Sequence, residues 1–178
     1  DVYKRQGEGQ TLDREEFRDL IAASTDAAAG QVPVIAGIIT DSTREAVIRG
    51  KMIRDLKTAA LQVTPVQYLF KPSDDAMVEH FRTLAGETGQ KIIIYNVVPW
   101  TYLSPALLLR IMDEVPDVIG VKQSAGDLKL FADLMADARP GNLIFSAVDA
   151  LMYPSYTLGA HGSIAAILSA APRASVDL

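Results

Sequence analysis

Apolar positions along the chain fall into two alternating patterns. Short runs rich in Val, Ile, Leu and Ala occupy residues 32–38, 60–64, 91–95, 118–122, 143–146 and 162–166. Most are apolar on both faces without strict alternation, which predicts buried strands of a parallel sheet covered by helices. Between them apolar residues recur at helical spacing, as in Ala46, Ile48, Met52, Ile53 and Leu56, or Met77, Phe81, Leu84 and Ala85. Each such segment has one face to lay on a sheet. Capping residues mark the starts: Asp41-Ser42-Thr43 with Glu45, Pro72-Ser73-Asp74-Asp75, and Ser104 before Pro105. A first helix over about residues 13–29 precedes the strands, so the order is α followed by repeated βα units. Six strands fit a doubly wound open sheet or most of an eight-stranded barrel, and periodicity leaves both open.

Composition narrows the partners. Seventeen basic against 22 acidic residues, a net charge of -5, interleaved along the chain, offer no basic stripe for nucleic acid. The absence of cysteine excludes disulfides, thiolate metal sites and cysteine nucleophiles, and suits a reducing cytoplasm. His80 and His161 belong to no spaced ligand motif, so a metal is disfavoured and no cofactor is expected. No apolar stretch reaches the roughly 20 residues needed to span a bilayer.

The chemistry concentrates at two strand ends. Val118-Ile119-Gly120-Val121-Lys122 closes an apolar run with a lysine, and Ile92-Ile93-Ile94-Tyr95 closes the preceding one with a tyrosine. A desolvated lysine there has a lowered pKa and can attack a carbonyl as the free amine, and a tyrosine hydroxyl can shuttle the protons. Taken singly, the lysine reads as snorkelling to the rim and the tyrosine as a core residue. Their position at the ends of consecutive strands, on one rim of a parallel sheet, favours the chemical reading. Elsewhere, Gly7-Glu8-Gly9 reads as a turn, and Asp74, Asp75 and Glu79 as a solvated first helical turn. His161 is expected on the opposite, stability face, and Asp149 as a cap for the helix that follows it in preference to a residue that shapes the site. Tyr68, Phe70, Trp100 and Tyr102 sit in loops after strands.

Read in order, several blocks resemble the dihydrodipicolinate synthase and N-acetylneuraminate lyase family: Pro33-Val34-Ile35-Ala36-Gly37, Val63-Thr64-Pro65 with Lys71-Pro72, Ile94-Tyr95-Asn96-Val97 and Ile119-Gly120-Val121-Lys122. Ser124-Ala125-Gly126-Asp127, Asp149-Ala150-Leu151 and Leu158-Gly159-Ala160-His161-Gly162-Ser163-Ile164 continue the series. The resemblance implies an α/β fold, an incomplete (β/α)8 TIM barrel holding strands three to eight, with residues 7–178 as the partial domain and 1–6 as a non-native leader. It implies that Lys122 forms a Schiff base with pyruvate or a related 2-oxo acid, that Tyr95 relays protons, and that Ile164, Thr64 and Tyr68 contact substrate. The partners implied are a 2-oxo acid with an aldehyde or sugar acid, and further copies in a dimer or tetramer of the full-length form.

Some positions depart from the pattern. The family's Gly-Thr-Thr-Gly-Glu loop would end at Gly7-Glu8, but residues 1–6 lack its threonines. Where synthases that use aspartate semialdehyde carry an arginine, this chain has Val98-Pro99-Trp100-Thr101-Tyr102. The loop 66–70 is longer than usual. A Schiff-base aldolase or lyase is therefore expected, with a sugar-acid dehydratase or hydratase-aldolase and a non-catalytic 2-oxo acid binding module as alternatives.

Overall fold

The computed structural model describes residues 9–67 and 69–178. Six strands form one parallel sheet in sequential order: β1 (Ile35–Ile38), β2 (Ala60–Val63), β3 (Ile92–Asn96), β4 (Val118–Gln123), β5 (Leu143–Ser146) and β6 (Gly162–Ser163). A doubly wound sheet reverses its strand order at a switch point. Here every strand pairs with its successor. The sheet curls enough for Pro33 and Ile35 near β1 to share a cavity of about 400 Å³ with Ile164 and Leu168 after β6. The architecture is an incomplete (β/α)8 barrel.

Helices α1 (Arg14–Ala28), α2 (Thr43–Met52), α3 (Asp74–Thr88), α4 (Pro105–Glu114), α5 (Leu128–Asp137) and α6 (Met152–Thr157) alternate with the strands. Their ends follow local chemistry. Asp13 and Glu16 form a reciprocal capping box on α1, while Ser42, Ser73 and Ser104 cap α2, α3 and α4 through backbone N–H groups three residues on. Gly89 ends α3 at φ 64°, a left-handed conformation that glycine adopts without a Cβ penalty. Two short helices, α7 (Ile167–Ala170) and α8 (Pro172–Val176), follow β6.

Two strands are shorter than their apolar runs by more than one residue. β1 begins at Ile35 instead of residue 32, because Val32 is exposed and Pro33 has no N–H for a ladder. β6 stops at Ser163, after which the Ile164 N–H still reaches Ser146 O at 2.9 Å and the chain turns into α7. Asp149 does not cap the helix that follows it: the 3-10 turn Asp149–Leu151 lacks a side-chain cap, and the carboxylate accepts from Ile167 N, the first residue of α7, at 3.2 Å.

The central strands β2, β3 and most of β4 are buried on both faces, which have different neighbours. Ala36, Ile38, Leu61, Val63, Ile92, Ile94, Val118, Val121 and Ile144 pack with Phe81, Leu84, Leu108 and Ile111 of the helices. Alternation turns Gln62, Ile93, Tyr95 and Lys122 to the inner side. In β4 the register slips by one residue, since Ile92 pairs with Val118 but Ile93 with Gly120, leaving Ile119 as the extra residue. This bulge lets Val118 face the helices while Lys122 faces inward. Beyond it Gly120 meets β5 so closely that a Cβ would lie 2.2 Å from Leu143 O.

Candidate active site

Tyr95 and Lys122 are the penultimate residues of β3 and β4, and the ladder sets them side by side. Lys122 has none of its surface exposed, and Tyr95 is buried beside it. The Lys122 Nζ lies 4.1 Å from the centroid of the Tyr95 ring, within the range where a ring face attracts a cation. Taking an amine out of water disfavours its charged form. The neutral form is the nucleophile that carbonyl chemistry needs.

Thr64 directly follows the neighbouring β2 and is fully covered, its Oγ1 lacking a hydrogen-bond partner among the described residues. It shares a cavity of about 520 Å³ with Tyr95, Val97, Val98, Gln67 and Gln10. Asp41, Glu45 and Arg49 add charged groups to its lining. Glu45 accepts from Arg14 at 2.6 Å and from Arg49 at 3.0 Å. The hydrogen bond from Arg14 lowers its carboxyl pKa, partial burial works in the opposite sense, and Arg49 adds to the lowering. Arg49 is held in turn by Leu12 O and lies over the Phe17 ring.

Of the residues expected at the site, the structure brings Lys122, Tyr95 and Thr64 to one rim of the sheet. Ile164 stands further round the curl, in the separate cavity that it shares with Ile35 and Gln62. Tyr68 lies outside the described residues, as does the segment ending at Gly7-Glu8. Lys122 is not part of the wall of the larger cavity, which opens onto the tyrosine side of the pair. Trp100 lies in a 3-10 turn, Pro99–Thr101, and is exposed, whereas Tyr102 donates from its hydroxyl to Ser124 O at 3.2 Å. His161 sits before β6, at the opposite strand end from Lys122, where its Nδ1 accepts from Ile144 N.

Two buried residues had no role assigned from sequence. Asn96 follows Tyr95, Gln123 follows Lys122, and their side-chain amides are hydrogen-bonded to each other at 3.1 Å. The sequence signal is the repeated dipeptide, a reactive strand-end residue followed by an amide. A third buried polar group, His80 of α3, pairs its Nδ1 with Thr43 Oγ1 at 2.8 Å. Burial lowers its pKa to about 4, with the nearby Thr64 backbone acting weakly in the opposite sense, and its Nε2 has no hydrogen-bond partner among the described residues. Among the described residues no cluster of His, Cys, Asp and Glu could hold a metal, and no helix is long and apolar enough to cross a membrane.

Known proteins share this fold. The 4-hydroxy-tetrahydrodipicolinate synthase of Maridesulfovibrio salexigens is 35% identical over 169 residues, 93% of this chain and 57% of the relative. That of Pseudomonas aeruginosa is 36% identical over 175 residues, 97% of this chain and 59% of the relative. A crystal structure of dihydrodipicolinate synthase from Acinetobacter baumannii, chloride-inhibited and complexed with pyruvate, superposes with a TM-score of 0.91 at 29% identity, covering 98% of this chain and 60% of that one. The Aquifex aeolicus enzyme gives the same TM-score at 28% identity and the same coverage. The chain thus spans just under three fifths of the length of the curated relatives it matches. Since the model of the dihydrodipicolinate synthetase family matches residues 3–178, nearly the whole sequence, the chain belongs to that family.

Proposed function

We propose that this chain carries the Schiff-base half of a class I aldolase or lyase that acts on pyruvate or a related 2-oxo acid. The observation that carries the reading is a fully buried Lys122 whose Nζ stands 4.1 Å from the Tyr95 ring at the end of adjacent parallel strands. That end of the strands is where barrel enzymes build their active sites. Pyruvate is the ligand of the Acinetobacter relative.

In this reading the neutral Lys122 Nζ adds to C2 of the 2-oxo acid, and the former carbonyl oxygen takes up a proton. A proton delivered to its hydroxyl then lets the carbinolamine lose water and become a protonated imine. Loss of a proton from C3 yields the enamine, whose C3 forms a carbon–carbon bond to an aldehyde; hydrolysis returns the lysine. The Tyr95 hydroxyl moves the protons among nitrogen, oxygen and the C3 centre. Thr64 lines the cavity beside Tyr95 and contributes a hydroxyl to substrate. No arginine occurs between residues 97 and 109, so the second substrate is assigned only as an aldehyde.

Borohydride reduction in the presence of pyruvate tests the reading. The expected result is a secondary amine on the peptide containing Lys122, formed only with the 2-oxo acid present. A chain labelled evenly across surface lysines, or labelled to the same extent after Lys122→Ala, overturns it.

A further inference from the structure

Behind the inward pair stands a second pair on the face turned to the helices. The ladder that sets Tyr95 beside Lys122 also sets Asn96 beside Gln123, and both amides are buried. Asn96 Nδ2 donates to Gln123 Oε1 and to Leu103 O, each at 3.1 Å, while Leu103 N donates to Asn96 Oδ1 at 3.0 Å. One side chain thereby engages both backbone groups of Leu103 as a neighbouring strand would, tying the segment 97–103 back onto β3. Gln123 Oε1 accepts a second bond from Ala125 N at 3.3 Å, and the backbone adds Ser124 N to Asn96 O at 3.0 Å.

Burying amides costs free energy unless they are paired, and an apolar pair would fill the same space without fixing one strand along the other. Register is otherwise weakly specified here, because β3 is buried along its whole length and β4 almost so, and β4 already carries a bulge. A slip of one residue would turn Lys122 or Tyr95 to the helix side. We propose that Asn96 and Gln123 are positioning residues: their amide clamp locks the end of β3 against the end of β4 and holds Tyr95 against Lys122. The functional part rests on the Schiff-base reading above.

The clamp uses the two amides unequally. Gln123 Nε2 is buried without a hydrogen-bond partner among the described residues, so only the oxygen of Gln123 is engaged. A carboxylate can therefore replace it and a hydrocarbon cannot. Asn96 uses its nitrogen and its oxygen, so Asn96→Asp loses both donated bonds.

The test compares Gln123→Glu, Gln123→Leu and Asn96→Asp in the 178-residue chain by two measurements. The first is the rate of borohydride trapping on Lys122 at saturating pyruvate. The second, independent of imine formation, is the NMR shift of the Lys122 ε-methylene in protein labelled at the lysine ε-carbon. With Nζ 4.1 Å from the Tyr95 ring centroid, that signal is expected upfield, and its return in Tyr95→Leu identifies it. Gln123→Glu is expected to keep the shifted signal and trap within about twofold of the parent rate. Gln123→Leu and Asn96→Asp should lose the ring shift and trap slower by on the order of 100-fold, the scale for a misplacement of about 1 Å. If Asn96→Asp does not fold, the two Gln123 variants decide. Ring shift and trapping unchanged in Gln123→Leu overturn the proposal. A parent that shows the ring shift but no trapping, with the shift lost in Gln123→Leu, leaves the positioning intact and removes the Schiff-base reading instead.

Discussion

A lysine with no exposed surface is costly to keep, since both its ammonium and its long flexible stem are taken from water. Lys122→Ala should abolish pyruvate-dependent trapping, and Lys122→Arg should do no better, because a guanidinium stays charged and offers no free amine. Tyr95→Phe separates the ring from its hydroxyl: the ring face over Nζ remains, while imine formation should slow by about 100-fold or more through lost proton transfer. Trapping rates across a pH series for the three variants check both statements, and the parent rate should fall toward acid as the ammonium predominates. His80 poses a stability question at the same scale. Its folded pKa of about 4 lies below the ordinary 6.5, so the unfolded chain binds more protons between those values. The stabilisation is complete above about pH 6.5 and is lost as pH falls through 4, amounting to on the order of 3 kcal/mol. Urea unfolding at pH 7 and pH 4.5 should show this loss in the parent and a smaller one in His80→Gln, which leaves the carboxylates as a common background. Equal acid losses in the two proteins would mean that burial of the imidazole is not what sensitises the fold.

Among the elements, β4 carries the most constraint, because its bulge and its glycine together let one strand serve two faces. In Gly120→Ala the added methyl would meet Leu143 O at 2.2 Å, a backbone atom that cannot rotate away. We expect a loss of about 1–3 kcal/mol, and Leu143→Ala should not rescue it, since the obstructing oxygen remains. Rescue would show that side-chain crowding, not backbone approach, excludes a residue there. The helix starts are simpler. Ser104→Ala removes the hydroxyl that accepts from Leu107 N and should cost about 1 kcal/mol by thermal melting. Such caps were legible in the sequence because a cap is a local event of a few residues. So were the alternation of strands and helices and the two residues that meet on the rim, since parallel strands place their carboxyl ends together. The orientation of Lys122 was not legible: both faces of β4 are apolar, and the bulge at Ile119 shifts the phase where no pattern of polar residues marks it. Nor was the placement of Ile164, whose distance from the lysine depends on how far the sheet curls. Asn96 and Gln123 read as ordinary polar strand ends, because their partners, each other and Leu103, are fixed only once the loop after β3 folds back.

At the scale of the whole molecule, the described sheet has two edges, β1 and β6, each paired on one side only. Between them lies the cavity lined by Ile35, Gln62, Ile164 and Leu168, where a fully buried glutamine and apolar side chains face a space that no strand of this sheet fills. Unpaired parallel edges flanking an apolar interior are templates for association. The exposed Leu69, Phe70 and Tyr153 add apolar surface to the same molecule. An eight-stranded barrel removes both edges by closure, which requires strand number and stagger to match. We therefore expect the 178-residue chain on its own to associate as its concentration rises, and to turn over substrate poorly even where Lys122 can be trapped. The check is to compare it with a form carrying two further βα units upstream, by sedimentation velocity over a concentration series and by turnover of pyruvate with a panel of aldehydes. The longer form should sediment as one species and turn over faster by on the order of 100-fold, as expected when closure of the sheet orients the 2-oxo acid more tightly. If the shorter chain is monodisperse and equally active, its edges are not the liability argued here, and the site formed by β2, β3 and β4 is sufficient for the chemistry.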